Sequence, residues 1–261
     1  MNDFAKRYGP WAIVAGASEG TGRAFARKIA ANGVNLILIA RREASLNTLA
    51  GEIRAQSGVE CITAAIDLSR VEATDQMIAA AGSREVGLFV ANAGADPNGA
   101  RFLDRDVETW AALVNRNVMT TLRACHHFGS QMRARGKGGL LLVGSGACYG
   151  GGSFLAAYSA SKAFELCFSE SLWAELKPHG VDVLHLVLTM TDTPAFRKLL
   201  ADKGQAVPPG LVSPDDVADV GLARLPHGPV HDWGPQQAAA DARRARVLMI
   251  DQMTKGIFGD G

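Results

Sequence analysis

A chain of 261 residues with 48% hydrophobic and 20% charged side chains suits one large α/β domain with a sizeable core. Its 27 lysines and arginines balance 26 acidic residues, which excludes a field able to gather nucleic acid or an anionic membrane surface. The cysteines Cys61, Cys125, Cys148 and Cys167 form neither a CxxC pair nor a His/Cys cluster at metal-ligand spacing, so no metal site is expected and a reducing compartment fits.

The first residues carry no apolar run behind a basic stretch, so they do not read as a signal peptide. The most apolar runs, 34–40 and 181–190, are too short to cross a bilayer, and the chain is expected to be cytoplasmic. Strand-like runs follow in order at 11–15, 34–40, 59–66, 86–91, 139–143 and 181–188. They are nearly continuous in apolar residues rather than alternating, which indicates strands covered on both faces. Helix-length stretches between them supply right-handed crossovers, with Gly33 and Gly58 placed to end two of these helices. The expected fold is therefore α/β: a single doubly wound, Rossmann-type domain over 1–261, whose central parallel sheet of about seven strands is flanked by helices on both faces.

The first strand runs into Gly16-Ala17-Ser18-Glu19-Gly20-Thr21-Gly22 and then a helix over 23–31. Glycines there allow a sharp turn and a close approach of pyrophosphate to backbone N–H groups at a helix start, which is a dinucleotide site. The spacing is G-x-x-x-G-x-G rather than the usual G-x-G-x-x-G. The second strand ends in Ala40-Arg41-Arg42, the third in Asp67-Leu68 and the fourth in Asn92-Ala93-Gly94. A long helix is expected over 106–135, carrying Asn117, and another over 155–177, ended by Pro178 and Gly180. On the latter, Tyr158 and Lys162 lie one turn apart and can face one cleft. Ser145 follows the fifth strand, at the carboxyl edge where ligands of parallel sheets bind. The segment 189–212, rich in proline and glycine, reads as a mobile substrate lobe, Ser213-Pro214-Asp215-Asp216 as a capped helix start, and 226–261 as a C-terminal extension.

Taken together in this order, Gly16, Gly20, Gly22, Asn92-Ala93-Gly94, Asn117, Ser145, Tyr158 and Lys162 resemble the short-chain dehydrogenase/reductase family over residues 10 to 225. The resemblance implies that Tyr158 is the general acid of carbonyl reduction and the base of alcohol oxidation. Lys162 would favour the phenolate and bond the cofactor's ribose, Ser145 would hold the substrate oxygen, and Asn117 would anchor a water leading from Lys162 to solvent. Ser18, Glu19 and Thr21 share the glycine loop, Asp67 and Leu68 would meet the adenine, and Asn92, Ala93 and Gly94 the adjoining ribose. Thr191 and Thr193 would lie near the nicotinamide, although Leu188-Thr189 stands where relatives commonly carry Pro-Gly.

A carboxylate at the end of the second strand suits a free ribose hydroxyl, whereas arginine suits a 2′-phosphate. Arg41 as a charge-assisted partner, with Arg42 beside it, therefore indicates NADP(H), despite the unhelpful charge of Glu19. Substrate-facing residues are expected at Ser145, Cys148, Tyr149, Phe154, Leu188, Met190 and Phe196, where no cation is evident. These features favour a small-molecule substrate, a hydrophobic ketone or secondary alcohol, bulky ones included, handled by an NADPH-dependent ketoreductase or alcohol dehydrogenase. At subgroup level the chain is similar to bacterial alcohol dehydrogenases that accept bulky ketones and to hydroxysteroid and 3-ketoacyl reductases. A homo-oligomer, dimer or tetramer, is expected by resemblance alone, and no nucleic-acid or membrane partner. The competing readings are a nucleotide-sugar epimerase or dehydratase, which would need a longer C-terminal part, and a non-catalytic NADP(H)-sensing protein.

Overall fold

The computed structural model describes residues 2–96 and 98–233. Most of the expected 226–261 extension lies outside the described residues. In chain order the elements are α1 (Asp3–Tyr8), β1 (Trp11–Ala15), α2 (Gly20–Ala31), β2 (Asn35–Ala40), α3 (Glu43–Ser57), β3 (Cys61–Ala65), α4 (Ala73–Ala81) and β4 (Val86–Ala91). Then come α5 (Val107–Val114), α6 (Thr120–Arg135), β5 (Gly138–Ser145), α7 (Ala156–Leu176), β6 (Val181–Leu188), α8 (Pro194–Asp202), α9 (Pro214–Arg224) and β7 (Val230–Asp232).

The seven strands form one parallel sheet in the order β3-β2-β1-β4-β5-β6-β7. Because β1 lies between β2 and β4, the chain winds outward in both directions from the β1/β4 boundary, and the carboxyl ends of those strands open a crevice. Successive strand residues pack on opposite faces. Ala12, Val14, Leu36, Leu38, Leu184 and Leu186 meet α2, α3 and α9 through Phe25, Ile29, Leu49, Ile53 and Val217. Ile13, Ile37, Ile39, Phe89, Leu140 and Leu142 meet α4 and α6 through Met77, Phe128 and Met132. Burial on both faces is why the strands read as continuous apolar runs. No helix among the described residues is long and apolar enough to cross a membrane.

The expected helix over 106–135 is interrupted. Between α5 and α6, residues Asn115–Met119 form a π-turn, with the fully buried Asn117 at its centre. Asn117 is held there by donating to Ser161 Oγ of α7 at 2.9 Å. The segment 189–212 is more ordered than its composition suggests. Thr193 caps α8 by accepting from the Phe196 N–H at 3.1 Å. The ends of the segment are joined by the backbone bonds Val212 N–H to Met190 C=O, 3.1 Å, and Asp192 N–H to Val212 C=O, 2.9 Å. Ser213 caps α9 as expected, accepting from the Asp216 N–H at 3.0 Å. Two helices, α1 and α4, were not marked in the sequence, α1 being one and a half turns and α4 lacking a distinct cap.

Candidate active site

At the β1/β4 switch point lies a cavity of about 560 Å³ lined by the glycine loop, the ends of β2, β3 and β4, and the start of α8. Gly16 has a φ of 83° and Gly20 one of 55°, backbone that a side chain would strain. Gly22 is needed for closeness: a Cβ there would stand 2.0 Å from the Gly16 carbonyl oxygen and 2.6 Å from Asn92 Nδ2. The loop is anchored by Gly16 and Ala17 N–H groups on the Ile39 carbonyl, at 2.7 and 3.0 Å. Asn92 joins it to β4, accepting from Thr21 Oγ1 at 2.6 Å and donating to Gly16 C=O at 3.2 Å.

Gly16, Ser18, Glu19, Gly20, Thr21, Arg41, Arg42, Asp67, Leu68, Asn92, Ala93, Gly94 and Thr193 all line this cavity. Gly22 sits behind the loop, and Thr191 is buried, donating to Thr189 C=O at 3.0 Å. Sequence reasoning missed Arg116, which enters the lining beside Asn117 and donates to Ala95 C=O at 2.5 Å. Its only sequence signal was adjacency to Asn117, because the π-turn that turns it inward has no local motif. Burial and the neighbouring Arg41 hold the Arg116 guanidinium below its ordinary value. Burial pushes the Asp67 carboxyl up, but the Ser69 hydroxyl and N–H, with Arg41 and Arg116, bring it below the usual range.

The donor set suits a dinucleotide. Helix α2 starts at the glycine loop without a side-chain cap, so its first N–H groups and its dipole face that loop. Arg41 and Arg116 add positive charge on the β2 side, and Leu68 and Ile66 an apolar wall.

The second half of the site is built by β5 and α7. Ser145 ends β5, and its hydroxyl accepts from the Ala147 N–H at 3.3 Å. Tyr158 and Lys162 sit on the first turns of α7, with the Lys162 ammonium 5.9 Å from the Tyr158 ring centre. Lys162 Nζ donates back to the Val143 carbonyl at 3.1 Å, two residues before Ser145, which fastens α7 to the end of β5. Asn117 Nδ2 donates to Ser161 Oγ at 2.9 Å, and Ser161 donates to the Tyr158 carbonyl at 2.7 Å. The four residues expected to do chemistry are thus joined through the backbone of β5 and α7. A phenol and an ammonium beside a hydroxyl can exchange a proton with a carbonyl or alcohol oxygen placed among them.

Of the residues expected to face substrate, Tyr149, Phe154 and Met190 are exposed, Phe196 is half-buried, and Leu188 packs partly into the core. Tyr149 donates to Asp232 at 2.9 Å, tying the loop after Ser145 to β7, and Arg101 lies 5.3 Å over the Phe154 ring. Cys148 turns inward onto Leu166 and Val187.

A family model described as short chain dehydrogenase matches residues 10–204. The chain is 32% identical over 244 residues to a 7β-hydroxysteroid dehydrogenase of Collinsella aerofaciens, covering 88% of this chain and 92% of the relative. A solved 7β-hydroxysteroid dehydrogenase structure superposes with a TM-score of 0.84 at 30% identity, covering all of this chain and 97% of the other. A short-chain dehydrogenase from Sphingobium yanoikuyae, solved with NADPH, superposes with a TM-score of 0.79 at 25% identity over 92% of this chain and 95% of its own.

Proposed function

The chain belongs to the short-chain dehydrogenase family, a family of NAD(P)-dependent oxidoreductases acting on hydroxyl and carbonyl groups, and from that premise we propose that it is an NADP(H)-dependent hydroxysteroid-type dehydrogenase. It interconverts a bulky hydrophobic ketone and the matching secondary alcohol. The nicotinamide, when bound, supplies or takes up the hydride. Tyr158 gives a proton to the ketone oxygen during reduction and recovers it from the alcohol during oxidation. Ser145 donates to the same oxygen as negative charge builds on it, and Lys162 holds positive charge beside the phenol. Asn117, fully buried on Ser161, fixes the start of α7 and thereby the direction of Tyr158.

The observation that carries the chemistry is the anchoring of Lys162 to the strand that ends in Ser145, one helical turn from Tyr158. The steroid class is favoured over the broader bulky-ketone reading by the likeness to 7β-hydroxysteroid dehydrogenases along nearly their whole length. Arg41 and Arg116 in the cofactor cavity, with the NADPH-bound relative, support NADP(H). Residues 189–212, hinged at the Thr191 to Val212 bridge, close over the substrate and exclude water. Leu188, Met190, Tyr149, Phe154 and Phe196 line its path. The partly buried, stacked Phe164 and Phe168 on α7 supply an apolar face for a homo-oligomer.

The test is a panel of 3-oxo and 7-oxo steroids and smaller ketones assayed with NADPH and NADH. Turnover of an oxo-steroid with a higher kcat/KM for NADPH is expected. Absence of NADPH oxidation with every ketone would overturn the function, and an equal or better kcat/KM with NADH would overturn the cofactor preference.

A further inference from the structure

We infer that Glu165 is the counterion that keeps Lys162 charged, which makes it a positioning residue of the reaction. The inference rests on the proposed role of Lys162. Glu165 lies one turn beyond Lys162 on α7, and both its carboxylate oxygens accept from the ammonium, at 2.8 and 3.1 Å. The ammonium also donates to the Val143 carbonyl at 3.1 Å. The side chains of Lys162 and Glu165 are 3% and 5% exposed, so water takes almost no part in stabilising either charge. A lone ammonium in such a place loses several kcal/mol of hydration and sheds its proton instead.

The surroundings leave this task to Glu165. Among the described residues, Tyr158 faces Lys162 from the same helix, Arg116 approaches from the π-turn with charge of the wrong sign, the end of β5 offers the Val143 carbonyl, and Gly94 packs on the ammonium beyond β4. On the far side of Glu165 stand Cys125 of α6, whose thiol is fully buried, and His185 of β6, reached through Ser169, whose hydroxyl lies 3.5 Å from its Nδ1. Burial acts to lower the Lys162 ammonium and pushes the Glu165 carboxyl up; each charge opposes the effect of burial on the other, and the carboxylate, aided by Tyr158, holds Lys162 above its ordinary value. Glu165 also fixes where the ammonium sits. A Cβ at Gly94 would stand 2.5 Å from Nζ, so the cation is confined between β4 and α7.

Glu165→Gln keeps the length and one acceptor oxygen and removes only the charge. In alcohol oxidation followed from pH 6 to 11, the alkaline limb of kcat is expected to move about 1 to 2 pH units lower in Glu165→Gln as Lys162 gives up its proton early. Glu165→Asp should return the limb to within about 0.5 unit of its original place. A limb that stays where it was in Glu165→Gln, whatever the loss in rate, would reduce Glu165 to a packing role and overturn the inference. In the unmutated protein the 13Cε resonance of Lys162, assigned by its loss in Lys162→Arg, should keep its ammonium shift to at least pH ~10.4. Titration of that resonance below the ordinary lysine value of pH ~10.4 would refute the counterion role. This second readout needs neither turnover nor a folded Glu165 variant, so its failure is distinct from failure of the ketone panel.

Discussion

Arg42 donates to Glu19 Oε2 at 2.5 Å across the rim of the cofactor cavity, while Arg41, one residue earlier, lines the cavity beside Asp67 and Arg116. The two adjacent arginines therefore have different duties. On the proposed NADP(H) reading, Arg42 neutralises the carboxylate that would otherwise repel a phosphate at this rim and leaves Arg41 to receive it. Arg41→Ala is expected to lower kcat/KM with NADPH by about 10- to 100-fold, the loss of one charge-assisted bond of roughly 1.5–3 kcal/mol. The value with NADH should change less than about 3-fold, since no phosphate contact is lost there. Fluorescence titration with both cofactors checks the same claim without turnover.

Tyr158→Phe removes the proton that is exchanged and leaves the ring. The kcat is expected to fall by about 10²- to 10⁴-fold, the usual worth of general acid–base catalysis. The dissociation constant for NADPH should stay close to that of the unmutated protein. Full activity in the Phe variant would show that the proton comes from elsewhere.

Gly22 and Gly51, both within helices, should respond in opposite ways to alanine. At Gly22 the new Cβ meets the Gly16 carbonyl oxygen at 2.0 Å, so Gly22→Ala is expected to deform the loop, abolish cofactor binding and lower Tm by several degrees. At Gly51 in α3 nothing lies within 4 Å of the new Cβ, and Gly51→Ala should stabilise by about 0.5–1 kcal/mol through helix propensity. Thermal unfolding followed by circular dichroism separates the two.

Tyr8 gives the fold an alkaline limit. Burial, and the bond its hydroxyl donates to Asp182 at 2.6 Å, raise its phenol far above the ordinary value. In the unfolded chain the phenol titrates near pH ~10, so the stabilisation is fully present below that value and is lost as pH rises beyond it. Urea midpoints should decline from pH 10 to 11, and in Tyr8→Phe this decline should be shallower, from a lower starting stability.

Much of the fold is legible in the sequence. β1, β4 and β6 occupy the expected residues, β2 starts one residue later, and β3 and β5 differ by one to two residues at both ends. α7 falls within one residue of 155–177, α3 ends at Gly58 and α9 starts at its Ser213 cap as expected, whereas α2 begins three residues early, inside the glycine loop. β7 is harder to read because three residues at the sheet edge carry too short a pattern. Within 189–212, clustered prolines and glycines obscure α8, whose start is marked only by Thr193 and Pro194.

The sequence by itself determined the glycine loop, the sheet's strand runs and the Tyr158 to Lys162 spacing, because each depends on neighbours within one turn or one strand, where backbone geometry alone fixes which side chains share a face. Only the tertiary structure decided which charges meet. Arg116 reaches the cofactor cavity because a π-turn rotates it there, and Arg42 finds Glu19 because β1 and β2 are adjacent in the sheet. Glu165 stands at a spacing the sequence displays, yet its partnership with Lys162 depends on α7 laying that face against β5 and sealing both charges from water. Electrostatic strength is set by burial, and burial is a property of the packed layers rather than of any segment.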